Sequence, residues 1–186
     1  MPIVETERRL SRRSTGWRRA LSNDLDRLVG SRKANTFCSK DDGLVSNHPH
    51  WNLIVDRGPV KPPEQFDPAA IFQDFTDATA LGSSCLNGIY DYVHYRSHIP
   101  EVLGLARGSG KLQFGGRWSR TLSLEAGDIS LLFAGTGHHC LDASGDFLVV
   151  GACPPKVTYD ECTESKHHSR AVRIIPEVAR SRGDQV

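Results

Sequence analysis

Two short runs decide the fold of this chain: residues 88–101 read GIYDYVHYRSHIPE, and residues 127–138 read GDISLLFAGTGH. Each run joins strand-forming residues to histidine or glutamate, and each is bracketed by glycines. Histidine and glutamate are side chains that move protons or bind metals in many proteins. We therefore expect the chemistry of the protein to lie within residues 88–139.

These runs belong to a series of short strand-like segments that begins at Ile89. Glycine-containing turns separate the segments and supply the positive φ angles that tight turns need. The predicted strands cover residues 89–95, 102–106, 111–114, 121–124, 129–133, 138–141 and 147–152. Short, evenly spaced strands of this kind indicate an antiparallel sandwich or a small barrel.

Further elements are predicted on both sides of this series. Asp67-Pro68 predicts a helix that begins there and runs to about Ala80, because aspartate caps free backbone N–H groups and proline is tolerated at the first helical position. Residues 53–55 predict a short strand, and residues 171–175 predict an edge strand. His48 and His50 flank a proline in a loop-like setting, so we expect both to be exposed and outside the site.

The first 33 residues are rich in arginine and carry apolar residues at near-helical spacing. They predict a peripheral helical or mobile extension; an arginine-rich start also resembles a mitochondrial presequence, although its acidic residues argue against that reading. We expect an extension over residues 1–33, a barrel domain over 34–176 that includes the helix at 67–80, and a tail over 177–186.

Composition narrows the classes of function. The chain has 186 residues, 38% hydrophobic and 24% charged, which fits one globular domain. A net charge of +1 leaves no basic footprint for nucleic acid or an anionic membrane. The sequence has no membrane-spanning apolar stretch and no signal-peptide core, and its five scattered cysteines lack a Cys-x-x-Cys pair. We expect a cytoplasmic protein whose partner is a small molecule, with no nucleic acid and no membrane.

Both runs resemble signatures of the cupin superfamily. Gly88, His94, Glu101 and Gly108 match the first signature, G-x5-H-x-H-x4-E-x6-G, except at its second histidine. Over residues 34–155 the sequence looks most like the small, single-domain, poorly characterised cupins of bacteria and fungi. The resemblance implies an all-β fold, an antiparallel double-stranded β-helix (the RmlC-like jelly-roll barrel), here with one flanking helix.

The second run resembles the second signature, G-x5-P-x-G-x2-H, through Gly127, Gly135 and His138. The resemblance implies a divalent metal held by His94, Glu101 and His138. Two imidazoles and one carboxylate with open positions suit Fe(II), which we favour, and also accommodate Mn, Ni or Zn. Metal-free barrels are the alternative.

Two positions depart from the family pattern: Arg96 replaces the second histidine, and Phe133 replaces the proline. A guanidinium is permanently charged and cannot bind a cation. His98, which has the strand parity of His94, could therefore supply the missing ligand. Alternatively His94, Glu101 and His138 alone hold the metal, while Arg96 is turned aside or pairs with an anionic substrate. In the third arrangement Arg96 forms an ion pair with Glu101 and no metal is held.

The leading hypothesis is a metal-dependent oxidoreductase that acts on a small organic molecule. The resemblance suggests biosynthesis of aromatic or polyketide-derived secondary metabolites as its context. Glu101 and His138 are the candidate catalytic residues, and Arg96, Tyr92 and Phe133 are the candidate substrate-binding residues. The alternatives are a metal-free cupin that binds a carboxylate ligand, an isomerase or cyclase that needs no O2, and a storage or structural role. The family also suggests a homodimer.

Overall fold

The computed structural model describes residues 27–30, 34–62, 64, 66–79, 81, 83–155 and 157–178. Within them the chain forms nine strands, two helices and a final 3-10 turn at Ile175–Glu177. The elements are β1 (Asn35–Phe37), β2 (Leu53–Asp56), α1 (Pro68–Ala78), β3 (Ser83–Asn87), β4 (Glu101–Arg107), β5 (Ser109–Phe114), β6 (Arg120–Glu125), β7 (Ile129–Leu132), β8 (His138–Ala143), β9 (Leu148–Cys153) and α2 (Ser165–Ile174).

The strands form two antiparallel sheets that face each other. The larger sheet has the order β1-β2-β7-β4-β9-β3, and the smaller has the order β6-β5-β8. One apolar cluster between the sheets takes residues from both: Leu53, Val55, Leu103, Leu105, Leu132 and Val149 from the larger, and Leu112, Phe114 and Leu124 from the smaller. The predicted all-β jelly-roll barrel is confirmed.

Strand β4 fixes which side chains enter the barrel. Leu103 and Leu105 belong to the interior cluster, whereas Gly104 faces outward against α1. Because successive side chains of a strand point to opposite faces, Glu101 shares the interior face with the two leucines. A Cβ on Gly104 would lie 2.3 Å from the Phe72 ring, so only glycine lets α1 approach the sheet this closely.

Helix α1 begins as the sequence predicts. The Asp67 side chain accepts a hydrogen bond from the Ala69 N–H at 3.1 Å, and Pro68 occupies the first helical position. Ile71 and Phe72 are buried against the larger sheet, whereas Ala78 at the helix end is exposed. The helix therefore covers the outer face of the barrel.

Two predicted strands are wrong. Residues 171–175 belong to α2 and the turn that follows it, because Ala171 and Ile175 lie four residues apart and are both buried in the cluster around Tyr95. Residues 89–95 form no continuous strand. They pair through isolated bridges at His94 and Tyr95 and through a hydrogen bond from the Cys140 N–H to the Tyr90 carbonyl oxygen. The strand that precedes them, β3, was not predicted.

Most of the predicted N-terminal extension lies outside the described residues, as does the end of the predicted tail. Of the extension's apolar residues the structure describes Leu28, which is buried against α1, and Val29, which forms a bridge with Val60. None of the described helices is long and apolar enough to cross a membrane.

His48 is buried, which corrects the expectation that it is an exposed loop histidine. Its side chain is 6% exposed and packs near Trp51 and Phe133, with ring centroids 6.2 and 6.3 Å away. Nδ1 accepts hydrogen bonds from the backbone N–H groups of His50 and Trp51. Burial lowers the pKa of His48, and a backbone hydrogen bond of Val178 opposes that shift. His50 is exposed, as predicted.

We expect His48→Gln to reduce the loss in free energy of unfolding that occurs as the pH falls below neutral. A histidine whose folded pKa is depressed takes up a proton more readily when unfolded, so its contribution to stability is present at neutral pH and declines as the pH falls below its ordinary value of 6.5. Urea unfolding at several pH values between about 7 and 5 measures this slope. The matched change His50→Gln is expected to leave the slope unchanged; equal slopes in the native chain and His48→Gln would contradict the prediction.

Candidate active site

His138 enters the barrel at the start of β8, directly after the Gly135-Thr136-Gly137 turn. Gly135 has a φ of 86°, which favours glycine, and a Cβ on Gly137 would lie 2.7 Å from the Gly115 carbonyl oxygen. His138 is 2% exposed and pairs with Phe114 of β5, whose ring belongs to the interior cluster. The glycine turn therefore directs the imidazole into the barrel.

His94 lies directly beside His138. The two residues exchange backbone hydrogen bonds of 3.2 and 3.0 Å, and their ring centroids are 4.1 Å apart. Nδ1 of His94 lies 3.2 Å from the Tyr92 carbonyl oxygen, which is an acceptor only, so Nδ1 carries the proton of the neutral ring. The Nε2 lone pair is then available for a proton or a metal.

Glu101, the first residue of β4, completes the group. Its Oε2 lies 3.8 Å from Nε2 of His138, and this buried oxygen has no hydrogen-bond partner among the described residues. A buried oxygen without a partner is costly, and such atoms are enriched where a protein binds or transforms something. His94, Glu101 and His138, which the sequence proposed as one site, thus lie together in the barrel.

Burial sets the charge state of this group. It lowers the pKa of His138 well below the ordinary range, and the neighbouring His94 lowers it further. Burial also lowers the pKa of His94 and raises the pKa of Glu101, with the positive charge of Arg96 opposing the rise at Glu101. Both imidazoles are therefore neutral at neutral pH, and Glu101 holds its proton more firmly than usual. His138 is therefore uncharged in this 3.8 Å contact, which is consequently not an ion pair.

The donor types fit a divalent metal, but the donor atoms do not form a ready ligand set. Two imidazoles and a carboxylate oxygen without a hydrogen-bond partner are chemically suitable ligands. Among the described residues, however, no group of three or more His, Cys, Asp or Glu side chains is gathered closely enough to hold an ion. A metal here stays a prediction from the sequence.

Arg96 turns away from Glu101 toward residues 159–161. Its Nη1 donates to the Asp160 carbonyl oxygen at 3.0 Å and lies 3.7 Å from Oε2 of Glu161, and its guanidinium lies 4.0 Å from the centre of the Tyr159 ring. No ion pair between Arg96 and Glu101 occurs among the described contacts. Arg96 is thus turned aside from Glu101, so the arrangement in which these two residues pair is not the one found among the described residues.

The remaining predicted residues lie at different distances from the histidine pair. Tyr92 stacks on Tyr90, lies 5.7 Å from His94 by ring centroids, and donates its hydroxyl hydrogen to Glu161. Phe133 lies elsewhere, against His48 and Trp51.

His98 is also engaged elsewhere. Its Nε2 lies 2.7 Å from the Thr158 carbonyl oxygen, and its Nδ1 lies 3.2 Å from Oδ1 of Asp160. Both ring nitrogens therefore face the segment that follows β9 and not the histidine pair.

Sequence reasoning missed this segment, residues 157–163, which lies beside the site. Asp160 holds it in place by accepting hydrogen bonds from the Ser97 backbone N–H at 2.9 Å and the Ser97 hydroxyl at 2.6 Å. Cys162 pairs with Tyr95 through backbone hydrogen bonds in both directions. Sixty-three residues separate Ser97 from Asp160, so no local sequence signal could reveal their contact.

The chain resembles a curated protein along most of its length. No protein-family model matches the chain. The uncharacterized protein YjlB of Bacillus subtilis (strain 168) is 30% identical over 156 residues, which cover 83% of this chain and 91% of that protein.

Solved structures resemble the chain only distantly. A 3,4-ketoisomerase from Helicobacter canadensis is 16% identical, with a TM-score of 0.39, over 77% of this chain and 96% of its own. An uncharacterized double-stranded β-helix protein from Klebsiella pneumoniae is 15% identical, with a TM-score of 0.35, over the same shares of the two chains. These likenesses are too distant to transfer an activity. The two motifs and the antiparallel barrel resemble those of the cupin superfamily. The match to YjlB along most of both chains shows that this chain belongs to the family of YjlB.

Proposed function

We propose that this protein is an enzyme of the isomerase type that moves a proton within a small organic molecule. The observation that carries the proposal is the contact between Oε2 of Glu101 and Nε2 of His138, 3.8 Å apart on the interior face of the barrel. A carboxylic acid and a neutral imidazole at this distance form a proton donor and a proton acceptor that can share one substrate.

The local environment supports these roles. Burial favours the protonated form of Glu101 and the neutral form of His138, so each pKa is shifted in the direction that its role as acid or base requires. In such a reaction the base removes a proton from carbon, and the acid delivers one to oxygen or to a neighbouring carbon. No oxidant is consumed, because the electron pair stays within the substrate.

His94 has a supporting role in this reaction. Its ring is fixed by the Tyr92 carbonyl oxygen on one side and by the His138 ring on the other. Its Nε2 can accept a hydrogen bond from the substrate or take the proton that His138 does not take. Two neutral imidazoles in contact therefore provide two acceptors close to one donor.

A metal-dependent oxidoreductase acting on a small organic molecule is the second candidate, and the unpartnered Oε2 of Glu101 favours it. His94, Glu101 and His138 would hold the divalent ion, with Fe(II) preferred and Mn, Ni or Zn as alternatives. A bound Fe(II) would supply O2 activation at its open positions. The residues themselves would orient the substrate, and the apolar barrel would exclude water.

Hydrogen exchange into a carbonyl compound tests the proposal. The protein is treated with chelator and kept in D2O without O2. It is expected to introduce deuterium beside the carbonyl of hydroxy ketones or 2-keto acids, and proton NMR measures this exchange. Glu101→Gln removes the acidic proton and is expected to abolish exchange, whereas Glu125→Gln, at the exposed end of β6, is expected to keep it.

Either of two results would overturn this proposal. Deuterium exchange that persists in Glu101→Gln would show that Glu101 is not the acid of the reaction. Absence of exchange, together with stoichiometric Fe(II) binding and substrate-dependent O2 uptake by the loaded protein, would establish the oxidoreductase instead.

A further inference from the structure

We infer that the substrate is an organic carboxylate, and that Glu161 occupies the position of its carboxylate group in the structure described here. The inference rests on the proposed function, since it names the substrate class of the same site. It depends on three residues outside the proton-transfer pair: Arg96, Tyr92 and Glu161.

The two oxygens of Glu161 lie against two donors. Oε1 accepts the Tyr92 hydroxyl hydrogen at 3.0 Å, and Oε2 lies 3.7 Å from Nη1 of Arg96. A phenol and a guanidinium arranged around one carboxylate are already placed to bind another. The Arg96 contact is longer than a hydrogen bond, so an incoming carboxylate can approach the guanidinium more closely than Glu161 does.

Arg96 is held in place but not neutralised by its other contacts. Its only hydrogen bond to a described residue is with the Asp160 carbonyl oxygen, and the Tyr159 ring covers one face of the guanidinium. Five N–H donors belong to this group, so most of its donor capacity stays available. A fixed, partly buried cation with free donors is the feature that carboxylate recognition needs.

An open cleft of about 490 Å³ adjoins this position. It is lined by Leu44, Tyr92, Val93, Glu161 and Thr163, so it shares Tyr92 and Glu161 with the carboxylate position. This volume is within the usual range for small-molecule sites, and the lining is mainly apolar next to the charged end. The cleft therefore fits an apolar or aromatic body attached to the carboxylate.

The carboxylate position also lies near His94, which is in contact with the proton-transfer pair Glu101 and His138. The Tyr92 hydroxyl donates to Glu161, and the Tyr92 ring centroid lies 5.7 Å from that of His94. A substrate carboxylate bound beside Tyr92 and Arg96 would therefore have its neighbouring atoms close to His94. Replacement of the Glu161 carboxylate by a substrate carboxylate leaves the charge at this position unchanged.

Calorimetric titration with benzoate, and with uncharged benzamide of the same shape, tests the inference. Glu161→Gln removes the competing charge and is expected to bind benzoate about tenfold more tightly than the native chain. Glu161→Ala removes the competing group altogether and is expected to act in the same direction. Arg96→Gln is expected to weaken benzoate binding at least about tenfold, whereas Arg96→Lys keeps the charge and retains part of the affinity.

Matched changes at exposed positions of α2 and its cap provide controls. Glu164→Gln and Arg173→Gln are expected to bind benzoate as the native chain does. The inference is overturned if Glu161→Gln binds benzoate no better than Glu164→Gln, if Arg96→Gln retains full affinity, or if benzamide binds as well as benzoate.

Deuterium exchange into an uncharged hydroxy ketone separates this inference from the proposed function. A protein that exchanges deuterium but fails the benzoate test keeps the proton-transfer function and loses the carboxylate site. A protein that binds benzoate through Arg96 but exchanges no deuterium keeps the carboxylate site and loses the proton-transfer function.

Discussion

Asp128→Ala is expected to lower the free energy of unfolding by about 3–5 kcal/mol, because it removes a buried carboxylate that accepts two backbone hydrogen bonds and pairs with Arg57. The Asp128 side chain is 1% exposed. It accepts hydrogen bonds from the Gly58 N–H at 2.7 Å and the Glu125 N–H at 3.0 Å, and forms an ion pair with Arg57 at 3.0 Å. One carboxylate thus joins the loop after β2 to the turn between β6 and β7.

Urea denaturation followed by fluorescence measures this loss. Asp146→Ala, in an exposed turn, is the matched control and is expected to change the free energy of unfolding by less than about 1 kcal/mol. Asp128→Asn keeps an oxygen for one of the two backbone N–H groups. Its loss in free energy of unfolding is therefore expected to lie between those of Asp128→Ala and Asp146→Ala. A loss in Asp128→Ala no larger than that in Asp146→Ala would show that the carboxylate does not hold the loop and turn together.

The positions of the barrel strands could be predicted from the sequence because glycine-containing turns mark their ends and alternating apolar residues mark their length. Strands β4 to β9 lie within a few residues of their predicted positions, and Gly108, Gly115, Gly127 and Gly135 all have positive φ. The failure at residues 171–175 has a different cause. The β-branched residues there favour a strand, but burial of one helical face and the capping contacts between Glu164 and His167 outweigh that preference.

The sequence predicts those residues of the candidate site whose positions follow from motif spacing. It does not predict those that long-range contacts bring to the site. His94, Glu101 and His138 follow fixed distances from glycines, and the structure brings all three together. Arg96 was recognised as a departure, but its partners lie more than sixty residues away along the chain. The role of Glu161 depends on a segment whose path is set by Asp160, which no local pattern indicates.

Glu101 illustrates how stability and function oppose each other at this site. Its Oε2 is buried without a hydrogen-bond partner, which costs folding free energy. Other interior positions of β4 are filled by leucine, which packs without this cost. The retention of a carboxyl group among apolar neighbours is therefore better explained by chemistry than by packing.

His138→Gln is expected to slow deuterium exchange into a carbonyl substrate by about 10²–10⁴-fold, the usual loss when a general base is removed. Glutamine is similar in size and can keep a hydrogen bond, but its amide cannot take up a proton near neutral pH. His139→Gln is the matched control, because His139 is the next residue of β8 and points to the opposite face of the strand. Exchange rates by proton NMR, with far-UV circular dichroism to verify folding, measure the effect. If both variants lost activity equally, perturbation of β8 would explain the loss; if neither did, His94 would be the base, and His94→Gln should then abolish exchange.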